Sequence, residues 1–185
     1  MDSKLRRWEL ALMLGVALAL VLGAWLGGEQ RALADQVVRL HVIANSDSAE
    51  DQALKLAVRD GVLSRAEALY PPHATLDQAR AALAGHLDEL AAAGQAVVDA
   101  HGGTDRVTAQ LTRCWFPTKT YDGFALPAGE YEALRVVIGS GQGQNWWCVV
   151  YPPLCLGAAS ETVDDAAQAG QFTSGQAKLV TGDSG

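Results

Sequence analysis

The stretch Leu40–Asp60, LHVIANSDSAEDQALKLAVRD, decides the reading of the fold. It opens with a short apolar run, Leu40 to Ala44, of strand length. Asn45, Ser46, Asp47 and Ser48 interrupt that run, and all four residue types favour turns and helix caps. Apolar residues then return at helical spacing with Leu54, Val58 and Val62, and Leu69 follows further along. Two capping boxes are compatible with the spacing, Asp47 with Glu50 or Ser48 with Asp51. A strand that runs into a polar helix N-terminus leaves backbone N–H groups pointing outward, where recognition or chemistry is commonly placed.

Upstream of this stretch, Lys4, Arg6 and Arg7 form a positive flank and Leu10–Leu26 an apolar run. Ala32-Leu33-Ala34 then supplies small residues two apart, the spacing that signal peptidases require. Residues 1–34 are therefore expected to be a signal peptide or an N-terminal membrane anchor. Cleavage after Ala34 gives a secreted protein; retention gives a single-pass protein that touches the membrane through residues 10–26. Either way the remaining domain is expected to work outside the cytoplasm.

Downstream, Thr75 and Gln78 form a T-x-x-Q capping box for a second helix. Leu76, Ala79, Leu83, Leu87, Leu90, Gly94 and Val97 hold one face of it, and His101-Gly102-Gly103 ends it. The pattern then changes to period two: Val107, Ala109 and Leu111 alternate with polar residues, as in a strand with one buried face. Pro117, Asp122-Gly123 and Pro127-Ala128-Gly129 mark interruptions. Tyr131–Gly139 and Trp146–Tyr151 read as two further strands, joined by the glycine-rich Gly139–Asn145 as a hairpin tip. A phosphate loop leads from a strand into a helix, and this connection leads into another strand. The order predicts an α+β domain over 35–157, with a helix pair packed on a mainly antiparallel sheet of about four to five strands. From 158 to 185 the composition is that of a low-complexity, disordered tail.

The 185 residues carry a formal net charge of -7, and without residues 1–34 the balance is 10 Lys+Arg against 18 Asp+Glu. Nucleic-acid binding requires a basic face, so a nucleic-acid partner is not expected. The three cysteines are Cys114, Cys148 and Cys155. Export makes a Cys148–Cys155 disulfide plausible across Pro152-Pro153, and the alternative is buried apolar thiols. No Cys or His pair stands at metal-ligand spacing, and neither a metal nor a cofactor is expected.

One nucleophile-and-base set can be assembled: Cys148 as nucleophile, His41 as base, and Glu130 or Asp47 to orient it. Such a set would make the protein a cell-envelope hydrolase. Against it, both His41 and Cys148 fall inside predicted strands, whereas a reactive cysteine usually sits where its pKa is lowered. The Asp47 carboxylate, with Glu50 or Asp51, is explained by capping. Trp146-Trp147 points to binding instead, because adjacent strand residues face opposite sides and one ring must leave the core side. The candidate recognition surface is therefore His41, Asn45, Ser46, Asp47 and Ser48 from the first turn, with Gln144, Asn145, Trp146 and Trp147 from the late strands.

The run from His41, HVIANSDSAEDQALKLAVRD, closely resembles the stage II sporulation protein R family of endospore-forming bacteria. FPTKTYDGFALPAGEYEALRVVIG from Phe116, GQGQNWWC ending at Cys148 and VVYPPLC ending at Cys155 resemble it too, in the same order and spacing. The resemblance implies a signalling protein and no enzyme. It implies export from the forespore into the intermembrane space of the sporulating cell. The implied partner is a membrane-embedded aspartic protease that cleaves the pro-form of an early mother-cell sigma factor. Cys114 and the low-complexity tail depart from the family pattern.

Overall fold

The computed structural model describes residues 3–121 and 124–155; the expected tail, 158–185, lies outside the described residues. The elements in chain order are α1 (Ser3–Ala34), β1 (Val38–Ile43), α2 (Ala49–Glu67), α3 (Leu76–Gly85) and α4 (Leu87–Ala100). β2 (Val107–Phe116), β3 (Lys119–Tyr121), β4 (Phe124–Leu126), β5 (Gly129–Ile138) and β6 (Asn145–Tyr151) follow. The fold is α+β, a four-stranded sheet in the order β2-β5-β1-β6 with a separate two-stranded β3-β4 sheet.

Every residue of β1 is buried, which is what a central strand covered on both faces requires. It pairs parallel with β5 and antiparallel with β6, and β2 pairs antiparallel with β5. The connection Gly139–Asn145 is consequently no hairpin tip. It carries the chain over the end of β1, because the apolar β1 takes the position between β5 and β6.

One face of the sheet packs on the helices. Leu40 and Val42 of β1, Leu134 and Val136 of β5, and Val150 of β6 meet Val58, Val62 and Leu63 of α2 and Leu83 and Leu90 of the later helices. Each such side chain is essentially removed from water, contributing about 1.5–3 kcal/mol before the opposing entropy. The predicted second helix is two. His86, with φ -128° and ψ 29°, separates α3 from α4. Gly85 lowers the local helix preference, and the His86 Nδ1–H donates to the Ala82 carbonyl at 2.7 Å, closing α3. The Thr75–Gln78 capping box forms as read.

A second core lies on the opposite face of the sheet, over its lower half. Ala34, Val37, Leu126 and Leu154 pack there with Phe116, Tyr131, Ala133 and Val149 of the strands. α1 is helical throughout, with exposed side chains from Trp8 to Ala24. The anchor reading expects a span over Leu10–Leu26. Among the described residues no helix is long and apolar enough to cross a membrane.

Candidate functional site

At the end of β1 the chain turns through Asn45–Ser48 into α2, and this turn grips the Gly139–Asn145 connection. Asn45 Oδ1 accepts from the Ser140 backbone N–H at 2.9 Å, and Ser140 Oγ donates to the Asn45 carbonyl at 2.9 Å. Asp47 Oδ1 accepts from the Gln144 N–H at 2.8 Å. Ser48 is the N-cap, its hydroxyl accepting from the Asp51 N–H at 3.1 Å. The Asp51 carboxylate does not complete a box; it accepts from Ser46 Oγ and from Asn45 Nδ2. Gly143 passes so close that a Cβ there would lie 2.2 Å from the Ser46 carbonyl oxygen. Asn45, Ser46, Asp47 and Ser48 are thus occupied in holding two loops together. Their polar groups are chiefly structural, which alters the expectation that they present free recognition groups.

Lys55 reinforces the same clamp from α2. It is 5% exposed, and its Nζ donates to Gln52 Oε1 at 2.6 Å and to the Gln144 carbonyl at 3.1 Å. Burial lowers its pKa, with the Asp47 carboxylate opposing that shift.

Trp146 and Trp147 do face opposite sides of the sheet, but neither ring is exposed; both are half-buried. Trp146 lies on the helix side, with the Arg59 guanidinium 4.4 Å above its ring. Trp147 lies on the other side, stacked on His41 at 3.9 Å and edge-on to Phe116 at 4.8 Å. The exposed tryptophan of the sheet is Trp115 on β2, 61% exposed, which the sequence reading does not single out.

His41 is 7% exposed, and its Nε2 lies 2.8 Å from Asn145 Oδ1 and donates to it. Its Nδ1 is buried with no hydrogen-bond partner. Burial lowers the pKa of the imidazole, the Asn145 bond opposes that, and the charges of Arg135 and Arg39 lower it further. Beneath it, Arg39 is fully buried, its guanidinium 4.2 Å from the Phe116 ring centroid and 4.9 Å from that of Tyr131. Its Nε donates to the Cys148 carbonyl at 3.4 Å. A charged residue at full burial in a strand is not announced by the pattern VRLHVI, which reads as apolar.

The hydrolase set is not assembled. Cys148 is bonded to Cys155, with Cα atoms 5.7 Å apart, so its sulfur is no thiolate. Cys148 belongs to the helix-side core, whereas His41 contacts Trp147 and Phe116 on the other face. Cys114 is free, and burial raises its pKa. Among the described residues no three His, Cys, Asp or Glu side chains group as a metal site.

Comparison with known proteins gives one consistent answer. The family model described as stage II sporulation protein R matches residues 34–161. Stage II sporulation protein R of Bacillus subtilis (strain 168) is 38% identical over 122 residues, covering 66% of this chain and 54% of the relative. The chain thus spans about half the length of the curated relative it matches. No solved structure matches.

Proposed function

The chain belongs to the stage II sporulation protein R family, and from that membership we propose that it is an exported signal between the two compartments of the sporulating cell. It crosses the forespore membrane by means of residues 1–34 and acts in the intermembrane space. There it triggers a membrane-embedded aspartic protease, which cleaves the pro-form of an early mother-cell sigma factor. The observation that carries this reading is the match over residues 34–161, which runs through β1, the α2 turn and the late strands that clamp it. A role as a ligand also suits the engagement of Cys148 in a disulfide, which removes the nucleophile on which a hydrolase would depend. The protein contributes a surface, and the protease contributes the chemistry.

The test is reconstitution in a non-sporulating host that makes the protease and the sigma-factor precursor. Shortening of the precursor only when this chain is also made and exported is the expected result. Shortening without the chain, or none with it, contradicts the proposal.

A further inference from the structure

On the sheet face opposite the helices, the upper rows present exposed residues on the edge strands β2 and β6 among the described residues, while His41 and Ile43 of the central β1 are buried and Gly141 packs against Val137. Register places Gln110, Arg135, His41 and Trp147 in one row across β2, β5, β1 and β6, a width of roughly 14 Å at the usual strand spacing. The next row is Thr108, Val137, Ile43 and Asn145. Thr108, Gln110 and Asn145 are exposed, and Arg135 and Trp147 are half-buried. No Asp or Glu from any of the four strands lies in these rows, although the chain as a whole carries a net charge of -7. Arg135 takes part in no ion pair among the described residues, unlike Arg59, Arg65, Arg80 and Arg113, each of which has a carboxylate partner.

We infer that this half-face, centred on Arg135 and Trp147, is the docking surface for an acidic segment of a partner protein. A guanidinium that lacks a carboxylate of its own presents a planar fork, which binds an incoming carboxylate through two parallel hydrogen bonds. The Trp147 ring beside it supplies apolar contact, and its geometry is fixed by stacking on His41. Thr108, Gln110 and Asn145 form a polar rim. Arg and Trp within a polar rim is the composition of an interface hot spot. Complementarity favours an acidic segment because the two rows carry the Arg135 cation and no carboxylate, on a molecule whose net charge is -7. The identity of the partner as the protease rests on the proposed signalling role; the surface and its preference for acid do not.

Two measurements test it. The ¹⁵N-labelled full-length chain, held in zwitterionic detergent, is titrated with octaglutamate and, separately, with octalysine. Octaglutamate is expected to shift the amide signals of Gln110, Arg135 and Asn145, octalysine is not, and Arg135→Glu is expected to abolish the response. Equal response to both peptides, shifts centred elsewhere, or shifts that survive Arg135→Glu overturn the inference. In the reconstituted host, Arg135→Glu is expected to reduce precursor processing by about tenfold or more at unchanged melting temperature. The exposed Gln110→Glu, which leaves the buried contacts alone, is expected to reduce it as well. Full processing with both variants overturns the docking surface and leaves the signalling role intact. A wild-type chain that binds octaglutamate on this face but triggers no processing overturns the signalling role and leaves the surface standing.

Discussion

At the scale of single residues, the turn Asn45–Ser48 shows why polar residues at a strand end need not be free for recognition. The sequence makes the cap legible, since Ser48 and Asp51 stand at capping spacing. What it hides is that Asp47 and Asn45 bond to backbone nearly a hundred positions away. Ser48→Ala is therefore expected to cost about 1 kcal/mol through the lost cap. Asp47→Ala is expected to cost a similar amount, about 1 kcal/mol, by leaving the Gln144 N–H without its acceptor. Gly143→Ala should cost more, about 1–3 kcal/mol, because the added carbon meets backbone and the loop must shift. Urea titrations of the three variants check the order. His41 adds a pH dependence whose sign follows from its burial. Its folded pKa lies below the ordinary 6.5, so below that value the unfolded chain binds the proton more readily and folding loses stability. Stability should fall as pH drops from about 7.5 to about 5.5, and His41→Gln should show a smaller fall. Equal slopes in the two proteins would contradict the assignment.

Among the elements, the strands and α2 were readable because period-two and helical patterns are local. The break between α3 and α4 was not, since Leu83, Leu87 and Leu90 keep helical spacing straight through His86. Nor was the order of the strands. The glycine-rich Gly139–Asn145 has the composition of a hairpin, and only the burial of β1 on both faces explains why that strand lies between β5 and β6. The disulfide joins β6 to the segment after Pro152-Pro153 and closes a short loop. By chain entropy such a loop contributes about 2–3 kcal/mol, so Cys155→Ser should lower stability by that order in the exported protein. Non-reducing peptide mapping of the exported protein should show one Cys148–Cys155 link, with Cys114 alkylatable. Three alkylatable cysteines would contradict the pairing.

For the whole molecule, the α+β class and the family were legible from four ordered motifs between His41 and Cys155. The proposed binding face was legible only in part: His41, Asn145 and Trp147 stand among the expected recognition residues, whereas Thr108, Gln110 and Arg135 join them only through register. It consists of residues from four strands brought into rows by register, and no stretch of sequence contains more than two or three of them. Among the described residues, 1–34 join the domain's core through Ala34. Ala34 joins the lower core and Asp35 lies 3.7 Å from Arg113, so a chain lacking residues 1–33 keeps both contacts and is expected to fold. That separation permits the most direct test of the signalling account, which is that the domain acts from outside the forespore cytoplasm. Precursor processing is measured in the reconstituted host with the full chain, with the chain lacking residues 1–33, and with that shortened chain fused to an unrelated signal peptide. The account predicts processing with the first and third and none with the second. Processing by the unexported chain at the level of the full chain would contradict it.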